Sequence, residues 1–464
     1  METAREKVRR RNRGAGVKDL LIPALCLPKG LAPIVQVYLQ GVLVGKNSEV
    51  RESAAEGLRE AVMSTTTSAL KPHVIPITGP LIRILGDKYP GAVKSAILGA
   101  LAVMIDKGGV ALKPFVPQLQ TTFVKCLSDA NRPVRQRAAA ALGRLMTLQP
   151  RVDPLVGDLV TALAAASDAG VREAMLRAIA GVFAHAGKGV QTPTAERARD
   201  AIFAIFGLSD GEMNAAALAL AHVAAWLPDD TRASLVDRLA HELSPDGDVN
   251  DRGREARALA LAALPRTRPE LVLATHAPAT LNSLVRAAKD EACVASRVAA
   301  ARGLATIARS SALQNGASCP YLPKLLPVIG RLLRDESPDV RAATAGACCV
   351  LCVSSRDAVG VHVGAFVPQL ADVAVGDRSK DARYYADRAL RSVLRIMDAP
   401  DGLTYAQSVL KAGGVASAAR GKLTDVVLRR LQGLPDEEED GASKAAMGSL
   451  GADEEDDDEV VLGD

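Results

Sequence analysis

A two-residue slot, usually an apolar side chain followed by Arg or Lys, returns along this 464-residue chain at a nearly constant interval: Val50-Arg51, Val93-Lys94, Val134-Arg135, Val171-Arg172, Met213-Asn214, Ala256-Arg257, Ser296-Arg297, Val340-Arg341 and Ala382-Arg383. Successive steps are 43, 41, 37, 42, 43, 40, 44 and 42 residues, within the scatter of stacked two-helix units, whose period is about 40 to 47 residues. One such unit cannot bury its apolar face alone, so neighbours must stack and the core grows along one axis. The expected fold is all-α, a HEAT/armadillo-type superhelical solenoid of about nine two-helix repeats. A stack of this kind presents a long surface and no deep central pocket, which points to holding partners.

The punctuation repeats with the slot. Leu70-Lys71-Pro72-His73-Val74-Ile75-Pro76 returns 42 residues later as Leu112-Lys113-Pro114-Phe115-Val116-Pro117, with looser echoes at Cys319-Pro320-Tyr321-Leu322-Pro323 and Phe366-Val367-Pro368-Gln369-Leu370. Proline fits the first turn of a helix, where its missing N–H would have no partner, so these segments mark the start of each repeat's first helix. The first helices end at Asp87, Asp129, Asp168, Asp210, Asp335 and Asp377, a few residues before the slot that opens the second helix. A short acid there accepts backbone N–H groups, and its recurrence makes it a cap; catalytic carboxylates would not return every 42 residues. The slot's Arg or Lys is expected to bond the preceding repeat's Asp, forming a ladder along the stack. Asp246–Asp251 is polar and Pro265-Arg266-Thr267-Arg268-Pro269 interrupts the helical pattern, so longer loops are expected there.

Charge is unevenly spread. Residues 1–145 hold 22 Lys/Arg against 10 Asp/Glu, while 435–464 hold 13 Asp/Glu against one Lys, inside a net charge of +4. The body is therefore basic and attractive to acidic partners. The acidic, Gly-rich end cannot bury enough apolar surface to fold and is expected to be a disordered tail that aids solubility. With aromatic residues at 3% and one Trp, the core must be aliphatic, and single-stranded nucleic-acid reading, which interleaves stacking aromatics with basic residues, is disfavoured.

Enzyme patterns are weak. His73, His185, His222, His241, His276 and His362 are scattered without HxxxH or HExxH spacing. Cys349-Val350-Leu351-Cys352 has a CxxC form but no second pair, and it sits in an Ala-rich second helix, which suits buried structural thiols. Gly181 to Gly187-Lys188 misses the phosphate-loop spacing, and Gly189 stands where Ser or Thr must hold magnesium. No catalytic residue, metal site or cofactor is expected. Seven Cys at irregular spacing suit a reducing compartment. No apolar run reaches the length of a membrane span, and the basic start (Arg5, Lys7, Arg9, Arg10, Arg11, Arg13) lacks the apolar core of a secretory signal. A cytoplasmic address is expected.

The second and third repeats carry a family signature. His73-Val74-Ile75-Pro76-Ile77-Thr78-Gly79-Pro80-Leu81-Ile82-Arg83-Ile84-Leu85-Gly86-Asp87 and Ala111-Leu112-Lys113-Pro114-Phe115-Val116-Pro117-Gln118-Leu119-Gln120-Thr121-Thr122-Phe123 resemble the C-terminal region of the giant HEAT-repeat translational activators of the general control pathway, the stalled-ribosome sensors. The resemblance covers roughly residues 25–430 and is weakest over 190–330. It implies a non-enzymatic adaptor whose residues near 31–180 bind the RWD domain of the kinase of eukaryotic initiation factor 2 alpha, or of RWD-containing relatives that compete with it. The family's ribosome-contacting N-terminal part has no counterpart in these residues, so the chain reads as a C-terminal piece.

The expected partner-binding residues are Arg83, Lys88, Lys94, Lys113, Lys125, Arg132 and Arg135. Arg83 is singled out, with an i, i+4 pair to Asp87 as its competing role, although Arg before Asp is the weaker order for such a pair. The chain divides into a basic extension (1–24), repeats resembling the RWD-binding region (25–190), less regular repeats (191–434) and the acidic tail (435–464). Two other readings stay open: a general scaffold for phosphatase, nuclear-transport or cytoskeletal assembly, and a ribosome- or RNA-associated factor. Tubulin-binding repeats expose Trp on loops, whereas Trp226 is expected to lie in an apolar helix.

Overall fold

The computed structural model describes residues 21–85, 89–149, 151–206, 210–243, 250–267, 277–314, 320–354 and 366–396. Residues 1–20, Asp87, Lys88, Cys319, the His at 276 and 362 and the acidic tail fall outside these. The described residues form helices and short turns, with no strand. Two compact units divide the chain, Met1–Gln314 and Asn315–Asp464.

Seven helical hairpins build the first unit. Their first helices are α1 (Pro28–Val44), α3 (Val74–Ile84), α5 (Val116–Cys126), α7 (Asp153–Ala165), α9 (Thr192–Ala204), α11 (Asp229–Glu242) and α13 (Ala277–Ala287). The second helices are α2 (Ser48–Met63), α4 (Gly91–Gly108), α6 (Arg132–Leu145), α8 (Ala169–Ala186), α10 (Asp210–Ala224), α12 (Asp251–Thr267) and α14 (Val294–Gln314). Two hairpins build the second unit, α15 (Leu322–Leu332) with α16 (Pro338–Ser354) and α17 (Val367–Gly376) with α18 (Lys380–Ile396). The described residues thus hold the nine repeats that the slot spacing predicts.

Every slot falls in the first turns of an even-numbered helix, and Val93, Val134, Val340 and Ala382 open the face that packs, fully buried, whereas Val50 of α2 is 46% exposed. In α6, Val134, Ala138, Ala141, Leu142 and Leu145 are buried, the i, i+3, i+4, i+7 pattern of an amphipathic helix. Within the first unit α2, α4, α6, α8, α10, α12 and α14 pack each on the next, and α16 packs on α18 in the second. The stretch 91–126 is long and apolar enough to resemble a membrane span by composition. It is α4, a 3-10 segment and α5, and the apolarity belongs to a core helix: α4 lies between α2 and α6 with Ala96, Ile97, Leu98, Ala100 and Leu101 all buried.

Prolines act as expected at the starts of α5, α7, α9, α15 and α17. Before α3 and α5 the proline-marked entry is itself a 3-10 turn, Lys71–His73 and Gly109–Phe115. α12 runs through Pro265 to Thr267, within the segment 265–269 expected to interrupt the helix, and the remainder of that segment and most of 246–251 lie outside the described residues. Proline in a last turn removes a single i to i−4 bond, and the Thr267 hydroxyl, bonded to Leu264 O at 3.1 Å and Ala221 O at 3.2 Å, ties that end down.

Two helices approach closely backbone to backbone where α6 crosses α8. A Cβ added at Gly143 would stand 2.8 Å from the Gly181 backbone, a distance no relaxed side chain tolerates. Gly143→Ala should therefore force the two helices apart at a cost of about 1–3 kcal/mol, seen as a lower urea midpoint. Gly157→Ala, in α7 where nothing lies within 4 Å, should instead stabilise by up to about 1 kcal/mol. Equal effects at the two positions would refute the crossing as a steric constraint.

Candidate partner-binding surface

The slot cations build the inner frame of the repeats. In five repeats the guanidinium donates from Nη1 to two carbonyls of its own inter-helix turn: Arg135 to Asp129 and Ala130, Arg172 to Ala166 and Ser167, Arg297 to Asp290 and Glu291, Arg341 to Asp335 and Glu336, Arg383 to Asp377 and Arg378. Those carbonyls follow the last turn of the first helix, where intrahelical donors run out. The turn acids cap as expected: Asp168 Oδ1 accepts from Val171 N at 2.8 Å, Asp335 Oδ1 from Ser337 N at 2.9 Å and Asp377 Oδ1 from Ser379 N at 2.9 Å.

The ladder between repeats runs in the direction opposite to the expected one. Lys94 Nζ reaches Asp129 Oδ2 at 2.6 Å, Arg172 Nε reaches Glu212 Oε1 at 2.7 Å, and Arg341 holds Asp377 through Nε at 2.5 Å and Nη2 at 2.9 Å. Each acceptor belongs to the following repeat, because the start of an even helix lies beside the next repeat's turn. The slot in α12 is also shifted by one helical turn. Arg254, not Arg257, reaches forward to Asp290 Oδ2 at 3.6 Å, while Arg257 turns back to Glu242 Oε2 at 2.8 Å. Gly253-Arg254 gives steps of 40 and 43 residues where Ala256-Arg257 gives 43 and 40, so spacing alone could not tell the two apart.

These contacts sort the seven basic candidates. Lys94 is 6% exposed and its ammonium is taken by Asp129, so it leaves the proposed surface. Arg135 also leaves it: two turn carbonyls and Gly170 O, at 3.1 Å from Nε, occupy its guanidinium. Arg132 is half exposed on α6 and pairs with Glu173 at 3.3 Å. Lys88 lies outside the described residues, as does Asp87, the competing partner of Arg83.

The other three remain on the first-helix side. Arg83 is exposed in the last turn of α3, its Nε 3.4 Å from Gly79 O. Lys125 is exposed at the equivalent place in α5, 42 residues on, and Lys113 is exposed in the turn that leads into α5. Arg83 and Lys125 thus hold equivalent last-turn positions on the neighbouring helices α3 and α5, with Lys113 at the entry to α5. Sequence reading missed two exposed aliphatic residues of this stretch: Ile75 is 61% exposed and Val110 70% exposed. The signal was present, since Val74, Ile77, Thr78, Leu81 and Ile84 form the buried stripe of α3 and Ile75 is off it.

Groups that could suggest chemistry are structural. Burial pushes the thiols of Cys349 and Cys352 up to about 11 and about 12, and Cys348 well above its ordinary value, so the trio is poor in thiolate. Gly187 seats the Trp226 ring, whose Nε1 donates to Phe183 O at 2.9 Å, which accounts for the glycine beside Lys188. Burial, with Arg144 nearby, holds His185 below its usual value. Among the described residues no three His, Cys, Asp or Glu side chains are grouped to hold a metal.

Stacked antiparallel hairpins, capped turns and an aliphatic core define a HEAT-repeat solenoid. A chain of the Kap95:Nup1 complex superposes with a TM-score of 0.51 at 14% identity, over 91% of this chain and 55% of that one, which shows the fold alone. A HEAT-like repeat model matches residues 90–145, and the model of stalled ribosome sensor GCN1-like HEAT repeats matches residues 153–443. The chain belongs to the GCN1-like HEAT-repeat family. That match spans the stretch where the residue-level resemblance is weakest. Protein ILITYHIA of Arabidopsis thaliana is 35% identical over 444 residues, covering 96% of this chain and 16% of that protein. The human stalled ribosome sensor GCN1 is 31% identical over 85% of this chain and 15% of its own, and the yeast eIF-2-alpha kinase activator GCN1 48% over 36% and 6%. The chain thus spans about a sixth or less of the length of these relatives.

Two outcomes test the ladder. Glu212 is 1% exposed, so Arg172→Met, which leaves it buried without its cation, should cost about 3–5 kcal/mol in chemical denaturation. Arg341 bonding holds Asp377, and the Lys94 and Asn131 bonds outweigh burial to hold Asp129, below the ordinary carboxyl value. The stability each contributes is present above the unfolded value of about 3.9 and is lost as pH falls through the folded one. Arg341→Gln should therefore move acid unfolding of the second unit to higher pH, followed by circular dichroism.

Proposed function

We propose that this chain is a non-enzymatic adaptor of translational control whose α3–α5 face binds an RWD-domain partner, the kinase of eukaryotic initiation factor 2 alpha. The observation that carries the reading is that the neighbouring helices α3 and α5 and the turn entering α5 expose two aliphatic side chains, Ile75 and Val110, together with three cations, Arg83, Lys113 and Lys125. A small apolar centre bordered by cations is the anatomy of a protein-docking patch, in which the centre supplies affinity and the charges set orientation and association rate. The names of the yeast and Dictyostelium relatives, eIF-2-alpha kinase activators, support the choice of partner.

The adaptor works in the cytoplasm, where its charge selects an acidic surface on the partner. Lys94 and Arg135 serve it indirectly, by holding the repeats that carry α3 and α5 in register. Their loss should lower stability first and binding only as a consequence.

Retention on immobilised kinase RWD domain tests the proposal. Ile75→Asp, and separately Arg83→Ala with Lys125→Ala, should weaken binding at least about tenfold, equivalent to 1.4 kcal/mol. Arg331→Ala, on the second unit, should leave it unchanged. Undiminished retention of both α3–α5 variants would remove this face from the function.

A further inference from the structure

Stacked hairpins as a rule meet only their neighbours, yet Arg137 reaches past its own. From α6, in the third hairpin, it crosses over α4 and puts Nη1 3.2 Å from Glu56 Oε1 of α2, in the first hairpin, 81 residues away along the chain. On the way the same nitrogen donates to the Ser95 carbonyl of α4 at 2.8 Å. The other oxygen of Glu56, Oε2, accepts from Arg59 Nε at 2.9 Å, one turn along α2. A single carboxylate thus gathers two guanidiniums, one from its own helix and one from two hairpins on.

Gly99 is what lets Arg137 pass. Glycine weakens a helix interior, and no turn calls for one here, since α4 runs unbroken from Gly91 to Gly108. A Cβ at Gly99 would stand 3.1 Å from Arg137 Nη1 and 3.4 Å from Arg59 Cδ, so the missing side chain is the gap through which Arg137 reaches the partner of Arg59. Ser95 lies four residues before Gly99, and its carbonyl, the helical partner of the Gly99 N–H, is left open to a second donor by the bare turn. The Glu56 and Arg137 side chains are 32% and 43% exposed. Salt therefore reaches this bridge, unlike the buried Lys94–Asp129 pair of the ladder.

We propose that Arg137 is a strap that holds the first three hairpins at one mutual angle, closed when it reaches Glu56 and open when it lets go. Stacking contacts fix the angle of each hairpin to the next, and small departures add along the stack. A bond from the third hairpin to the first removes that freedom, because the α2–α4 and α4–α6 junctions can no longer open independently on the even-helix side. A surface bridge suits such a device. An exposed ion pair adds little to overall stability, but a small free energy is enough to shift a balance between two arrangements of the same folded hairpins. The consequence for partner binding rests on the docking reading above: α3 and α5 are the first helices of the second and third strapped hairpins. The closed strap keeps Ile75, Arg83 and Lys125 at one spacing, and ionic strength sets how firmly it does so.

The test measures the separation of the first and third hairpins in the intact chain, by electron double resonance between spin labels on unnatural residues that replace the exposed Gln40 of α1 and Gln118 of α5. At low salt the expected result is one narrow distance distribution. Arg137→Met should raise the population outside it roughly threefold to fivefold, the change a surface ion pair can supply. Salt at about 1 M, where the screening length falls to about 3 Å, should do the same to the unsubstituted chain and nothing further to Arg137→Met. Gly99→Leu, which keeps every charge but fills the passage, should broaden the distribution as well. Exchanging the charges, Glu56→Arg with Arg137→Glu, renews the attraction across α4 and should restore the narrow distribution. An unchanged distribution in Arg137→Met, or an exchanged pair as broad as the single variant, would overturn the proposal. No RWD domain enters the measurement, so its failure is separable from failure of the α3–α5 reading.

Discussion

The forward-reaching slot cation is the interaction on which the rest of each unit depends. A two-helix hairpin leaves the last carbonyls of its first helix without donors and a large aliphatic face without cover. One residue at the start of the second helix answers both: Arg341 donates to Asp335 and Glu336 of its own turn and clasps Asp377 of the next repeat through two nitrogens. The apolar residue just before it, Val340, is fully buried. Satisfying the turn and positioning the neighbour are thus the same event, so relaxing one loosens the other. Lys94 does the second job alone, and Arg51 the first, with Gly45, Leu43 and Val42 as acceptors.

Burial of these ion pairs explains why they hold register more than they add stability. Desolvating a charge pair costs nearly as much as its attraction returns, but removing one partner leaves an uncompensated charge in the core. At Met213-Asn214 the cation is missing, and Glu212, one residue earlier, is instead the acceptor for Arg172 of the preceding repeat. Repeats built this way can vary in the outer faces of their first helices without disturbing the stack. That freedom lets α3 and α5 carry exposed cations and the exposed aliphatic Ile75 on the same scaffold as the other repeats.

Much of this was legible in the chain alone, for a physical reason. Period, proline entry, turn acid and slot are local patterns, and each is read by the backbone within a few residues; they recur because every repeat solves the same capping problem. The nine hairpins, the capping role of Asp168, Asp335 and Asp377 and the inert thiols near Cys349 follow from such patterns. Fate of the basic residues was not local. Lys94 and Lys125 look alike in a basic stripe, yet one is buried on Asp129 and the other exposed at the end of α5, because even helices face their neighbours and the ends of odd helices face solvent.

By itself, then, the order of residues determined the all-α repeat, the number of units among the described residues and the family to which they belong, since each is written in spacing that any single hairpin must obey. Only the tertiary structure decided which cations are frame and which are surface, that the ladder runs toward the following repeat, that Arg254 takes the slot of α12, and that Ile75 lies uncovered. Those outcomes depend on what an adjacent repeat places within about 3 Å of a side chain, and that distance is set by stacking, some forty residues away along the chain.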